Sequence, residues 1–186
     1  MDWNDGMDKI QIQNLKMAYG SFVIMRDVNV SVRPGEVFVI MGGSGCGKST
    51  LLRHLIGLKD PAEGDILYDG KSLVTAEDEQ KQAMLRKFGV LFQSGALWSS
   101  MTLAENVALP LTENTDLGQS DIREIVELKL ALVGLKGFEG FYPSEISGGM
   151  RKRAGLARAM ALDPEVLFFD EPSAELSPMA KMLGSS

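Results

Sequence analysis

The chain has 186 residues, of which 45% are hydrophobic and 24% charged, a composition typical of a globular protein of one domain. Its formal net charge of -6 at pH 7 argues against general binding to nucleic acid or an anionic membrane, because both need a basic face. A single cysteine, Cys46, excludes an internal disulfide, and no apolar run approaches the roughly 20 residues that cross a bilayer. We therefore expect no nucleic-acid partner, and membrane association only through another protein.

The first third of the chain predicts three strands, a glycine-rich loop and a helix in succession. Residues 10–19 and 22–32 alternate in part between apolar and polar side chains, which is typical of half-buried strands. The segment "EVFVIM" at 36–41, which is continuously apolar after Glu36, predicts a strand that is buried on both faces. Leucines at helical spacing then predict a helix over 48–58.

The middle of the chain predicts a short strand and turn over 64–73, an exposed helix over 75–87 and a buried strand over 88–93, which ends at Gln93. From about residue 100 to 162 the pattern is helical.

Two helix boundaries and a last strand can be placed within and after that helical stretch. Asp121 and Glu124 predict a capping box, with Gly134 placed to end the helix that it opens. A second helix is expected to begin after Ser147, and residues 165–170 return to strand.

The segment "GGSGCGKST" matches the phosphate-loop pattern, with a predicted strand before it and a helix after it. Its glycines let backbone N–H groups turn toward phosphates, Lys48 adds a point charge, and the Ser49 hydroxyl can hold Mg²⁺. His54, the only histidine, lies beyond the phosphates on the helix, so we interpret it as structural. The predicted ATP-binding residues are Gly42, Gly43, Ser44, Gly45, Cys46, Gly47, Lys48, Ser49 and Thr50.

Carboxylates follow the last predicted strand directly. Asp170 comes after four apolar residues and is suited to hold Mg²⁺, while Glu171 is suited to polarise an attacking water. Gln93, at the end of its own predicted strand, suits a contact to metal and water. Taken alone, each acid could be a solvated turn residue, which is commoner than a catalytic one.

These motifs together resemble the ATP-binding cassette (ABC) ATPases, and the resemblance runs from about residue 10 to 178. The phosphate loop matches at 42–49, the glutamine at Gln93, the signature at 146–150, and the metal-binding and catalytic acids at Asp170 and Glu171. Tyr19 matches the aromatic residue that stacks on adenine.

The resemblance implies one α/β domain over residues 1–186: a P-loop NTPase (RecA-like) core, a small antiparallel β-lobe, and a helical subdomain over 95–162 that carries the signature. It implies ATP and Mg²⁺ as cofactors, with Ser49, Gln93 and Asp170 as metal contacts. It also implies a head-to-tail homodimer, in which the signature residues of one chain close over the γ-phosphate bound to the other. Those residues are Ser147, Gly148 and Gly149.

Met150 in the signature and the segment 92–111 resemble the cassette subunits of Mla or Mce-type lipid transporters. The resemblance implies phospholipid or other hydrophobic cargo, and an inner-membrane permease that holds the chain at the cytoplasmic face. The region around Leu97 and Trp98 is the expected permease contact, although Trp98 could instead pack beneath the helices. Four basic residues are expected to form a solvated, ion-paired helix face; they are Arg151, Lys152, Arg153 and Arg158.

The segment after Glu171 departs from the family pattern. Glu175 stands where the family commonly has glycine, Ser177 replaces an aspartate that links the two sites, and no later histidine follows. We therefore expect a cassette that is truncated at its C-terminus and lacks the final core strands, so its turnover is an open question. The alternatives are a cassette of another importer, a nucleotide-binding subunit without turnover, and a P-loop small-molecule kinase, which leaves the signature unexplained.

Overall fold

The structure, a computed structural model, describes residues 7–170. The chain divides into two compact units between Leu85 and Arg86, called here the first and the second unit. Residues 171–186 lie outside the described part, and with them the predicted catalytic Glu171 and the departures at Glu175 and Ser177.

The first unit contains a four-stranded antiparallel sheet with strand order β2-β1-β3-β4. Its core lies under β1, where a bulge near Asn14 shifts the buried positions from Ile10 and Ile12 to Leu15 and Met17. Gly64 faces this bulge, and a Cβ there would lie 2.4 Å from the Asn14 carbonyl oxygen. The elements are β1 (Ile10–Tyr19), β2 (Phe22–Val32), α1 (Lys48–Leu55), β3 (Glu63–Tyr68), β4 (Lys71–Ser72) and α2 (Asp78–Leu85).

The prediction of a buried strand over 36–41 was wrong. Within the described residues this segment belongs to neither sheet, and its apolar side chains are exposed, from 42% at Ile40 to 88% at Met41. A strand needs hydrogen-bonded neighbours for its backbone groups, and a continuous apolar run does not by itself specify which segment supplies them.

The described part of the second unit, residues 86–170, contains two parallel strands and three α-helices. Strands β5 and β6 pair from Phe88 opposite Val166 to Leu91 opposite Phe169, and the helices lie between them in the chain, within the range 95–162. The elements are β5 (Phe88–Leu91), α3 (Leu103–Asn114), α4 (Gln119–Leu132), a short 3-10 helix (Pro143–Glu145), α5 (Gly148–Ala159) and β6 (Val166–Phe169).

Helix boundaries in the second unit follow the local signals in part. Ser147 caps α5, with its hydroxyl accepting from the Met150 N–H at 3.2 Å, and Gly134 with a φ of 70° follows α4, both as predicted. The predicted cap at Asp121 was wrong, because α4 begins one turn earlier, after Gly118. Asp121 lies in the first turn of α4, where its negative charge interacts favourably with the positive end of the helix dipole.

His54 lies in the core of the first unit and has a structural role there. Its residue surface is 1% exposed, and its Nδ1 lies 2.8 Å from the Lys59 carbonyl oxygen, so Nδ1 carries the proton in the neutral ring. Its Nε2 is buried with no hydrogen-bond partner among the described residues. Burial therefore lowers the pKa of His54 below its ordinary value of 6.5.

We expect this buried imidazole to make the protein less stable as the pH falls below about 6.5. The unfolded chain takes up a proton there while the folded chain does so only at lower pH, so protonation favours unfolding. In His54→Asn, whose amide can donate to the same carbonyl, the denaturation midpoint should change less between pH 7.5 and 5 than in wild type. Equal slopes for the two proteins would contradict this assignment.

Candidate nucleotide-binding site

The predicted phosphate loop leads directly into helix α1. Gly47 precedes Lys48 with a φ of 102°, and Gly45 has a φ of 78°, values that glycine adopts without strain. A Cβ on Gly47 would lie 2.8 Å from Cγ2 of Ile24, so the loop also passes close to β2. The first turn of α1 contains no acidic residue, which leaves the partial positive charge of the helix N-terminus available to an anion.

The Lys48 ammonium bends back over this loop. Its Nζ donates to the carbonyl oxygens of Gly42 at 2.8 Å and Gly43 at 3.0 Å, and lies 3.9 Å from Sγ of Cys46. The positive charge is therefore held at the loop by neutral acceptors. Phosphate oxygens are stronger acceptors for an ammonium than carbonyl oxygens are, because they carry formal negative charge.

Tyr19 lies at the end of β1 and contacts the same helix. Arg53 Nη1 of α1 lies 3.5 Å from its hydroxyl, and the Lys59 ammonium lies 3.1 Å from the centroid of its ring. A side-chain hydrogen bond with Thr50, and then the one with Arg53, lowers the pKa of Tyr19. Tyr19 is still 47% exposed, so part of the aromatic surface is accessible to a ligand.

Gln93 and Asp170 follow two strands that pair in parallel. β5 ends at Leu91 and β6 at Phe169, these two residues are opposite each other, and the Asp170 N–H donates to the Leu91 carbonyl at 2.9 Å. The carboxyl ends of parallel strands meet at one sheet edge, so pairing brings both predicted residues to the same edge of the second unit.

The predicted metal contacts fit Mg²⁺ by their chemistry. Ser49, Gln93 and Asp170 offer hydroxyl, amide and carboxylate oxygens, the donors that Mg²⁺ prefers. Within residues 7–170 no group of three or more His, Cys, Asp or Glu side chains could hold a metal ion alone. A magnesium ion would therefore rely on phosphate and water for further ligands, as is usual for this ion.

The signature residues lie at the N-terminus of α5. Ser147 is its cap, and Gly148 and Gly149 form its first turn, which contains no acidic residue. Gly155, later in α5, lies against the loop after β5: a Cβ on Gly155 would lie 2.8 Å from Cα of Gly95. The signature helix is thus packed on the loop that follows Gln93.

The prediction of an ion-paired face on α5 was wrong. Three of its four basic residues donate to backbone carbonyls instead. Arg151 binds the Ile146 carbonyl at 2.9 Å, Arg153 the Val133 carbonyl at 2.8 Å, and Arg158 the Ala96 carbonyl at 2.8 Å. Burial lowers the pKa of Arg158. These arginines anchor loops to the helix, and the expected ion-paired face does not describe them.

The loop around Trp98 is held from within by Asn106 of α3. Asn106 is fully buried; its Oδ1 accepts from the Trp98 N–H at 2.8 Å, and the two hydrogens of its Nδ2 are shared among the carbonyls of Trp98, Met101 and Thr102, at 2.9–3.1 Å. The Trp98 side chain is 59% exposed, whereas Leu97 packs partly against the core. The structure thus contradicts the alternative in which Trp98 packs beneath the helices. Nothing in the sequence around Asn106 singles it out as the residue that holds this loop.

Two curated transport ATP-binding proteins are similar to this chain in sequence. The chain is 49% identical over 170 residues to the "Probable ribonucleotide transport ATP-binding protein mkl" of Mycobacterium tuberculosis, covering 91% of this chain and 47% of that protein. It is 43% identical over 171 residues to the "Intermembrane phospholipid transport system ATP-binding protein MlaF" of Haemophilus influenzae, covering 92% of this chain and 65% of that protein. The chain therefore spans about half to two thirds of the length of these curated relatives.

Solved structures show the same fold. The cbiO1 protein of Clostridium perfringens, part of the ABC transporter complex cbiONQ, superposes with a TM-score of 0.83 at 27% identity, covering 96% of this chain and 73% of that chain. The dimeric ATP-binding cassette MJ0796 bound to ADP and Pi also gives 0.83 at 27% identity, covering 95% of this chain and 83% of that one.

The described helices contain no segment that is long and apolar enough to span a membrane. The sequence profile of the ABC transporter family matches residues 25–174, which include the phosphate loop, the signature and both acids. The chain belongs to the ABC transporter family, as its motifs predicted, and is an ATP-binding cassette.

Proposed function

We propose that this chain binds ATP with Mg²⁺ on its phosphate loop and hydrolyses it as the motor subunit of a transporter. The observation that carries the proposal is the Lys48 ammonium, which lies over the glycine loop at the N-terminus of α1. The ammonium, the helix dipole and the backbone N–H groups together favour a triphosphate.

Each remaining group has a chemical role in this proposal. Ser49 of the first unit and Gln93 and Asp170 of the second would each offer an oxygen ligand to Mg²⁺, and the ion would supply positive charge to neutralise the phosphates. Glu171 polarises the attacking water, and Gln93 orients it. Tyr19 stacks on the adenine through its exposed ring surface.

Removing the Lys48 ammonium should abolish most of the affinity for ATP. We expect Lys48→Ala to weaken binding of ATP with Mg²⁺ by about 10- to 100-fold, the range for a charge-assisted hydrogen bond, in isothermal titration calorimetry. Lys71→Ala, at an exposed lysine of β4, removes the same charge from the same unit and should bind as wild type does. Equal affinity in Lys48→Ala and wild type would contradict the site. Tight binding with no phosphate release would favour the alternative of a subunit without turnover.

We further propose that two copies pair head to tail around the bound ATP. The similar cassette MJ0796 is described as dimeric with ADP and Pi bound. In this chain Ser147 and Gly149 stand at a helix N-terminus without acidic residues in its first turn, which is suited to an anion. The proposed second anion is the γ-phosphate of ATP bound to the partner copy.

A negative charge at Ser147 should block this pairing without unfolding α5. Aspartate caps helices about as well as serine, so Ser147→Asp should keep wild-type stability within about 0.5 kcal/mol. It should lose ATP-dependent dimerisation in sedimentation velocity, because its carboxylate repels the partner's γ-phosphate. The parent and the Ser147→Asp variant both carry Glu171→Gln, which is expected to slow hydrolysis so that ATP stays bound during the measurement.

The matched control is Ser120→Asp, at an exposed position in the first turn of α4, which should dimerise as the parent does. Dimerisation of Ser147→Asp at the parent's ATP concentration would exclude the signature from the interface.

The transported substrate is proposed to be a phospholipid or another hydrophobic molecule, moved with an inner-membrane permease that binds the region around Leu97 and Trp98 at the cytoplasmic face. Similarity to the phospholipid transport protein of Haemophilus influenzae supports the lipid class. The buried Asn106 network supports the contact, since it bonds the loop backbone to α3 while the Trp98 side chain is exposed. The mycobacterial relative, named for ribonucleotide transport, supports a second candidate.

A photo-crosslinking amino acid at position 98, in cells that contain the native membrane partners, should capture an integral membrane protein. The same group at Leu128, an α4 residue 56% exposed, is the control and should not. With that protein in vesicles, the chain should drive ATP-dependent transfer of labelled phospholipid. Transfer of labelled cytidine monophosphate alone would instead favour the ribonucleotide candidate.

A further inference from the structure

The Lys59 side chain makes two polar contacts next to Tyr19. Its Nζ lies 3.1 Å from the centroid of the Tyr19 ring, within the range of a cation–π contact, and donates to the Ala18 carbonyl at 2.6 Å. The hydrogen bond to Ala18, the residue before Tyr19, holds the Lys59 ammonium against one face of the Tyr19 ring. The Lys59 ammonium therefore contacts the Tyr19 ring, and none of the ion pairs between described residues includes Lys59.

The backbone of Lys59 is fixed to the end of α1. Its N–H donates to the Arg53 carbonyl at 3.2 Å, and its own carbonyl accepts from Nδ1 of the buried His54 at 2.8 Å. The same helix begins at the phosphate loop with Lys48. One rigid element thus carries the phosphate-binding cation at its first residue and positions the Tyr19 contact beyond its last.

Tyr19 is restrained at its hydroxyl edge and on one face while much of its surface is exposed. Arg53 approaches the hydroxyl at 3.5 Å and Lys59 covers a face, yet 47% of the residue remains accessible. A cation on one face draws π-electron density toward it, which reduces repulsion between the opposite face and a second aromatic ring.

We propose that Lys59 is a positioning residue for the nucleobase: its ammonium holds one face of the Tyr19 ring so that the opposite face receives adenine. The inference rests on the proposed ATP-binding function and deepens it. It predicts that Lys59 contributes to binding of the base and not of the phosphates.

The test compares ATP with inorganic tripolyphosphate, which lacks a base, each titrated with Mg²⁺ by calorimetry. Lys59→Met should lower the affinity for ATP by about two- to fivefold, the range of an exposed cation–π contact, and leave that for tripolyphosphate unchanged. Lys59→Arg keeps a cation that stacks on aromatic rings and should restore wild-type ATP affinity. In a Tyr19→Leu background, Lys59→Met should have no further effect on ATP.

Lys71→Met is the charge control. Lys71 pairs with Tyr68, which pairs with Ile10 at the end of β1 opposite to Tyr19, so this variant should leave both affinities unchanged. Circular dichroism of each variant checks the fold.

Three outcomes would overturn the inference. Equal loss of affinity for ATP and tripolyphosphate in Lys59→Met would make Lys59 a general phosphate attractor. Unchanged or tighter ATP binding would show that the ammonium does not support the base, or that it competes for the same face. If wild type binds neither ligand, the proposed ATP-binding function fails, and the inference fails with it.

Discussion

Parallel pairing of Phe88–Leu91 with Val166–Phe169 is the constraint on which the second unit depends. It joins segments that are separated in the chain by helices α3, α4 and α5, so the entropy of closing a long loop opposes it. Burial of the helical core compensates for this cost. The same pairing brings Gln93 and Asp170 to one edge of the sheet, so the placement of these two proposed metal contacts follows from long-range pairing.

Helix α5 is packed against the loop that follows β5. Its glycine at 155 lies against Gly95, and Arg158 donates to the carbonyl of Ala96, so the helix that begins with the signature also holds the loop after Gln93. A charge pattern on a helix is usually solvated, but these guanidinium groups have carbonyl acceptors within reach. The arginines therefore join elements within this unit.

In the first unit, α1 has the corresponding role. Its N-terminus follows the glycine loop and its C-terminus positions Lys59 against Tyr19, with His54 buried between these ends. Its eight helical residues span roughly 12 Å. A displacement of α1 would move the phosphate-binding cation and the aromatic platform together. The buried His54, the Lys48 cation and the residues that place Lys59 therefore all belong to one element or its immediate end.

The sequence by itself determined what depends on local chemistry: the phosphate loop, the cap at Ser147, the glycine after α4, most of the strands and the family. These signals are local because a cap, a positive φ or a glycine turn needs only neighbouring residues. Only the tertiary structure decided that 36–41 forms no strand within residues 7–170, that Trp98 is exposed, and that Asn106, the arginines and Lys59 bind where they do. A strand partner, a buried amide's acceptors and the ring beneath an ammonium come from residues distant in the chain, and no local pattern specifies them.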